Sequence, residues 1–439
     1  MKVENISAVK DLSTWICCQL GARDHYSIPR GLHQRGLLAG LITETWIPPT
    51  SALARIPGAL GDRLRSRYDN ALADANVIHS SSSMIGYEVY ANLTKSRNIW
   101  DPIIARNNWF QAKAIRHLRS LIRRDDSRSR QIIFAYSYAA QKILRTARDL
   151  GCTTVLGQID PGPLEERIVA DIYSRRGNKI ASNQRVPESY WEAWREECDL
   201  SHHIVVNSEW TRNALIAEGV TSEKIHVVPV AYDPPDESDL FERTYPNSFN
   251  AVRPLHVLFL GSLIPRKGIH EMLDATILLR TAPVQFRFVG ASGSELGVKL
   301  AGNPQVHWMG SVPRQKVQGF YRNADVFILP THSDGFGLTQ LEAMAAGLPV
   351  IASRNCGEVV KQGVNGLILP AVTAEAIAES LEWCIKNPGH LRQMSDCAAR
   401  TSNEFRANHL VSRLLRSLKA CHEPLSHVVR GGLGMSPPA

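Results

Sequence analysis

Short apolar runs and helical periodicities alternate along the whole chain. Trp15–Leu20, Leu41–Trp46, Asn76–His79, Gln131–Phe134, Thr153–Leu156 and His203–Val206 are runs of strand length. Between them, Ile28–Ala39, Ala139–Leu150 and Glu209–Glu218 repeat apolar residues at helical spacing. The scheme then recurs. Strands are predicted at His256–Leu260, Phe286–Val289, Val306–Trp308, Val326–Leu329, Val350–Ala352 and Gly366–Leu369. Helices are predicted near Gly268–Leu279, Arg314–Asn323, Leu338–Ala346 and Ala374–Lys386. Apolar strands alternating with helices argue for parallel sheets covered on both faces. The expected fold class is therefore α/β, with two doubly wound Rossmann-like lobes.

Asp233–Pro254 is rich in proline, acid and asparagine and reads as an exposed linker. It places a first lobe at 1–245 and a second at 246–405. A C-terminal helix is expected at 406–424, packed back on the first lobe. The Gly- and Pro-rich tail 425–439 is expected to be disordered. Ligands of such sheets bind beyond the carboxyl ends of the strands, so two facing lobes make a cleft between them.

Composition narrows the class. At 44% hydrophobic residues in 439, there is ample apolar material for two cores. The longest apolar stretches fall far short of the roughly 18 residues a spanning helix needs. Lys10 and Asp11 interrupt the segment where a signal peptide would need an apolar core. The eight cysteines form no CxxC pair, and Cys17 and Cys18 read as strand residues, so reduced thiols in a cytoplasmic protein are expected. The glycan-acceptor strings at Asn5 and Asn92 then carry no meaning. The net charge of +8 is uneven: +11 over residues 1–148, −9 over 149–250 and +6 over 251–439. A nucleic-acid binder would be uniformly basic, so the early excess points instead to one anionic surface or ligand. The histidines are scattered and His202–His203 has no ligand spacing, so no metal site is expected.

Residues 329–353, LPTHSDGFGLTQLEAMAAGLPVIAS, carry the chemistry. A strand ends at Pro330, a loop with Gly335 and Gly337 follows, and a helix begins near Leu338. Glycines let a backbone approach a ligand, and the first N–H groups of a helix favour an anion. Glu342 lies one turn on, placed to accept hydroxyl hydrogen bonds.

This string resembles the signature of the retaining nucleotide-sugar glycosyltransferases of family 4, which have the two-lobed GT-B fold. Three further stretches are similar to that family. LFLGSLIPRKGIHEMLDA (258–275) resembles its strand, Gly261 and the basic pair Arg266–Lys267 that binds the donor diphosphate. FRFVGASGSEL (286–296) resembles its loop near the nucleotide base, at Gly290. IVVNSEWTRNALIAEGVTSEKIHVVPVAYD (204–233) resembles the end of its acceptor lobe. In the first lobe, QLGARDHYSIPRGLHQRG (19–36) resembles the family's first Gly loop, at Gly21; a lone glycine after a strand is also ordinary turn punctuation.

The resemblance implies a hexose moved from a nucleotide-diphosphate sugar to a saccharide or lipid-linked acceptor, with retention, an α-linkage and no cofactor or metal. Arg266, Lys267 and Asp334 are the implied catalytic residues. Gly21, Gly261, Gly290, Gly335, Phe336, Gly337, Leu338, Thr339 and Glu342 are the implied substrate-binding residues. Two departures stand out. Asp334 replaces the family's usual Glu, one methylene shorter. Where the first lobe usually offers histidines, this chain has Gln158 and Asp160 in TTVLGQIDPGP and Tyr136 and Tyr138 in FAYSY. A non-catalytic sugar-nucleotide-binding module and a sugar-nucleotide epimerase remain as alternatives.

One segment stays open. In residues 103–124, Phe110, Ala114, Leu118, Leu121 and Ile122 share a helical face, while Arg106, Lys113, Arg116, Arg119, Arg123 and Arg124 crowd the remainder. Such a helix either packs on its lobe with a solvated basic face or lies on an anionic membrane at the cytoplasmic side.

Overall fold

The computed structural model describes residues 13–84, 86–87, 98–123, 131–177, 185–234, 241–291 and 303–419. The glycan-acceptor strings, Arg124, most of the loop after Gly290 and the tail 425–439 lie outside them. In chain order the first half forms β1 (Thr14–Gln19), α1 (Ser27–Gln34), β2 (Leu38–Thr43), α2 (Gly58–Arg65), β3 (Val77–His79), α3 (Trp100–Arg123), β4 (Gln131–Tyr136) and α4 (Gln141–Asp149). Then come β5 (Thr153–Gln158), α5 (Pro163–Arg175), α6 (Glu188–Leu200), β6 (His203–Val206), α7 (Glu209–Ala217) and β7 (Ile225–Val227). The second half forms β8 (Leu255–Leu260), α8 (Ile269–Leu278), β9 (Val284–Val289), β10 (Val306–Trp308), α9 (Arg314–Arg322), β11 (Val326–Leu329) and α10 (Thr339–Ala345). It ends with β12 (Val350–Ala352), β13 (Gly366–Ile368), α11 (Ala374–Lys386), α12 (Pro388–Asn403) and α13 (Ala407–Lys419).

The strands pair in parallel in two sheets, ordered β3-β2-β1-β4-β5-β6-β7 and β10-β9-β8-β11-β12-β13. Each lobe is thus a doubly wound Rossmann-like sheet, and the pair is the GT-B architecture expected from the sequence. In each sheet the strand order reverses at one point, β1/β4 in the first lobe and β8/β11 in the second.

Alternation along each strand explains why both faces are covered. Trp15 and Cys17 point into one apolar layer with Tyr26, Leu32 and the helix α13 residues Leu410, Val411, Leu414 and Leu418. Their neighbours Ile16 and Cys18 point into the opposite layer with Phe110, Ile143 and Trp194. In the second lobe, Val257 and Phe259 face α8 and α11, while Leu258 and Phe327 face Leu341 and Met344 of α10. Burial pushes the Cys18 thiol up to about 12, in keeping with its packing role.

The structure differs from the sequence reading in particular places. Helix α1 stops at Gln34, because Gly36 takes φ of +66° and Leu38 pairs beside Trp15. Strand β2 therefore runs over Leu38–Thr43, and Trp46 instead stacks edge-on to Tyr26 at 5.6 Å. Edge strand β7 and helices α5, α6 and α12 escape the reading. Strand β7 is only three residues long, and charged residues interrupt the apolar period of the three helices.

Helix α3 packs its apolar face on the lobe. Phe110, Ala114, Leu118 and Ile122 are buried in the first-lobe core, so the apolar face is spent on the lobe and is not presented to a membrane. Arg106 turns inward to the buried Glu44, whose oxygens it meets at 2.8 Å. Among the described residues, no helix is long and apolar enough to cross a membrane.

Helix α13 closes the first lobe from the far end of the chain. Its Val411 sits where α1 carries Gly31, and a Cβ there would meet Val411 at 2.4 Å. Leu414→Ala should cost about 2–5 kcal/mol of stability, as for other fully buried leucines. Urea unfolding measures this, and a loss under about 1 kcal/mol would contradict the packing.

Candidate donor site between the lobes

The reversal of strand order at β8/β11 puts two loops side by side at the carboxyl edge of the second sheet. One loop follows β8 and carries Gly261, Arg266 and Lys267. The other follows β11 and carries Asp334–Leu338. The Arg266 carbonyl accepts from His332 N–H at 2.8 Å and from the Thr331 hydroxyl at 3.1 Å, and the Arg266 side chain donates to the Ser333 carbonyl.

Across this junction Lys267 Nζ donates to Asp334 Oδ2, and Arg266 stands 4.0 Å from Asp334 Oδ1. Burial, with the Arg266 charge beside it, pulls the Lys267 ammonium down from its usual range to about 8. The second carboxylate comes from the other lobe. Glu165, at the start of α5, meets Arg266 at 3.3 Å and accepts from the Ser333 hydroxyl at 2.9 Å. Burial pushes the Glu165 carboxyl up, and Arg266 opposes that shift. Nothing in the sequence alone singles out Glu165, since its neighbour Glu166 looks the same.

Gly335 serves the seam. A Cβ there would lie 2.0 Å from the Ile159 carbonyl oxygen and 3.0 Å from Asn207 Nδ2, both of the first lobe. Its own carbonyl accepts from Ser208 and Thr211, at the start of α7. The glycine therefore permits the backbones of the two lobes to approach here. Gly337 takes φ of +76°, which turns the chain into α10. Phe336 is buried against Phe405 and marks the floor of the loop. Gln340 N–H already bonds the Gly337 carbonyl, so Leu338 and Thr339 are the leading donors of α10. Glu342 sits one turn in and accepts from Tyr321 O–H at 2.7 Å. Gly261 and Gly290 end the adjacent strands β8 and β9, where Gly261 N–H bonds the Val289 carbonyl at 2.9 Å.

The first lobe brings its own reversal point to the same cleft. Gly21 follows β1 and packs under Arg67, which pairs with Glu44 at 3.2 Å. Asp24, His25 and Tyr26 then take left-handed backbone, with φ of 47°, 50° and 55°. Such strain costs about 1–3 kcal/mol per residue and collects at functional sites. His25 reaches across to Arg314 of α9, with Nη1 to Nε2 at 3.1 Å. Burial and that guanidinium lower its pKa, so it accepts as neutral imidazole.

Where the first lobe lacks histidines, the structure builds an acid–phenol pair. Tyr138 O–H donates to Asp160 Oδ1, which also accepts from Gln158 Nε2 at 3.2 Å and Gly162 N–H at 2.9 Å. Gln158 Oε1 in turn accepts from Trp194 Nε1 at 3.0 Å. Tyr136 instead donates to Asp24 at 3.1 Å. The sequence placed these four residues near the site without showing that three of them form one network. Among the described residues, no group of three His, Cys, Asp or Glu side chains is placed to hold a metal ion.

Gly335→Ala should lower stability by about 1–3 kcal/mol, because its new methyl meets a carbonyl oxygen of the other lobe. Gly319→Ala, within helix α9 and in open space, should instead raise stability by about 0.5–1 kcal/mol. Urea unfolding of both variants checks the contrast; equal effects would contradict the seam.

Residues 243–401 match the family model for glycosyl transferases group 1. The D-inositol 3-phosphate glycosyltransferase of Corynebacterium urealyticum is 30% identical over 55% of this chain and 62% of its own length. The amylovoran biosynthesis glycosyltransferase AmsK of Erwinia amylovora is 28% identical over 39% of this chain and 44% of its own length. The chain thus spans between about two fifths and three fifths of these relatives. Among solved structures, HepE of Anabaena in complex with UDP superposes with a TM-score of 0.59 at 16% identity, covering 93% of this chain and all of HepE. Sucrose-phosphate synthase of Thermosynechococcus elongatus superposes with a TM-score of 0.61 at 14% identity, covering 93% and 99%. Both likenesses lie in the fold, and the match to the family model lies in the second lobe.

Proposed function

We propose that this chain is a retaining glycosyltransferase that moves a hexose from a nucleotide-diphosphate sugar to an acceptor hydroxyl with an α-linkage. The observation that carries this reading is the Arg266–Lys267 pair, half-buried at the second-lobe reversal point and held by carboxylates from both lobes. Two cations in such a place suit a diphosphate, whose oxygens replace Asp334 and Glu165 as their partners. The match of residues 243–401 to glycosyl transferases group 1 supports the same assignment.

The chemistry needs no side-chain nucleophile. The acceptor oxygen attacks the anomeric carbon on the face from which the diphosphate leaves. The new C–O bond forms as the old one breaks, and its electron pair goes to the diphosphate. A diphosphate oxygen takes the acceptor's proton. The protein's part is to position both substrates and to stabilise the charge growing on the leaving group. Arg266 and Lys267 supply the opposing positive charge. Freed from Lys267, Asp334 faces the transferred sugar and accepts from its hydroxyls; Glu342, steadied by Tyr321, holds the ribose. Gly261 and Gly290 border the nucleotide, and Gly21 lets the first lobe close on the phosphates.

Lys267→Ala should lower turnover by roughly 30- to 900-fold, the equivalent of about 2–4 kcal/mol of transition-state stabilisation, with the circular dichroism spectrum kept. The pH profile gives a second check. Lys267 acts as a cation, so kcat/KM for the donor should fall as pH rises above about 8, where the free ammonium loses its proton. Lys267→Arg keeps the charge and should move that fall above about pH 10. Near-normal turnover in Lys267→Ala, or an unmoved pH limb in Lys267→Arg, would remove the basis of the assignment.

A further inference from the structure

Beside the charge cluster, on its first-lobe side, lies a cavity of about 340 Å³ that opens onto Arg266. Its size falls in the range of small-molecule sites. One wall is a run of aromatic rings. Tyr190 stacks on Tyr138 at 5.1 Å with 19° between planes, and Trp100 and Trp191 flank Tyr190 at 5.1 and 5.4 Å. The rings come from α3, α6 and the loop after β4, so three separate elements converge to build one surface.

The other wall is acidic. Asp160 carries the Tyr138 hydroxyl, and Glu166 accepts from Trp191 Nε1 at 2.6 Å and from Val186 N–H at 3.1 Å. Glu165 is the third carboxylate, and Arg266 is the one cation lining the cavity among the described residues. Each acid thus both shapes the cavity and charges it. Three carboxylates against one guanidinium make a negative field, and the donor diphosphate claims that guanidinium.

Resting on the reading above, we propose that this cavity seats the acceptor, and that the unit bound there is a saccharide carrying neither phosphate nor carboxylate. Two physical arguments converge. The C–H bonds of a pyranose's apolar face carry partial positive charge and meet the negative face of an aromatic ring. Carboxylates accept hydrogen bonds from sugar hydroxyls, and bonds to charged groups are the stronger kind. A phosphate or carboxylate in the same place faces three like charges in a partly desolvated cavity, which is discrimination by repulsion. Three of the eighteen acids of residues 149–250 line this cavity.

The test uses the full chain with UDP-, GDP- and ADP-sugars as donors. Methyl glucopyranoside, galactopyranoside and mannopyranoside serve as acceptors, against the 6-phosphates and uronic acids of the same sugars. The neutral glycosides should be glycosylated with kcat/KM at least about tenfold above their anionic counterparts. Trp100→Ala should raise the acceptor KM at least about fivefold, with nucleoside diphosphate affinity unchanged. Glu166→Gln keeps an acceptor for Trp191 and removes a charge, so it should narrow the gap between neutral and phosphorylated sugars. Preference for the anionic sugars, or an acceptor KM indifferent to Trp100→Ala, overturns the proposal. Saturation-transfer NMR with the same glycosides reads the cavity without turnover. Glycosides that bind it in a chain that turns over no donor would retain the cavity assignment and sink the transferase reading. Donor hydrolysis without neutral-sugar binding would do the reverse.

Discussion

Two cations of the second lobe and two carboxylates, one from each lobe, meet where the carboxyl edges of the two sheets face each other. The members of such a half-buried charge cluster depend on one another, since each is partly desolvated and offset by the others. That constraint explains the arrangement around it. The Arg266 carbonyl is fixed by Thr331 and His332, Ser333 bridges toward Glu165 and Trp210, and Gly335 is small enough for the lobes to touch. The same constraint gives the site its chemistry. On the function proposed above, an entering diphosphate replaces both carboxylates, which are then free to hold sugar hydroxyls.

The sheets supply the positions. Because β8 and β11 are neighbours although they are far apart in sequence, the loops that carry Lys267 and Asp334 emerge side by side. The first lobe repeats the order, so the strained turn after β1 and the Tyr138–Asp160 network open on the same cleft. Function here follows from two copies of one topology set edge to edge. The loops that differ between the copies carry the differing roles, with cations in one lobe and aromatic rings with acids in the other.

Much of this was legible in the sequence for a physical reason. Buried parallel strands such as Val326–Leu329 must be apolar on both faces, so they announce themselves, and the DGFGL string marks the turn that follows. What stayed hidden depends on pairing in space. Glu165 is one acid among many until Arg266 is seen beside it. Gln158 and Tyr138 are twenty residues apart and share Asp160 only once β4 and β5 pair. Gly335 read as room for a ligand, since a sequence does not show that the nearest backbone belongs to the other lobe. The amphipathic pattern of α3 fits a lobe surface or a membrane; in the structure its residues Phe110 and Leu118 pack into the first-lobe core.

The most direct test is a calorimetric titration of the full chain with UDP, GDP and ADP, repeated on Glu165→Gln. If Glu165 holds Arg266 in the place of a diphosphate, one of the three nucleotides binds the native chain. Glu165→Gln then binds that nucleotide several-fold more tightly, because a competing charge is gone while the shape is kept. If none of the three binds, or if Glu165→Gln weakens the nucleotide it should favour, the cluster is a structural clasp between the lobes and the account of a donor site built on it is wrong.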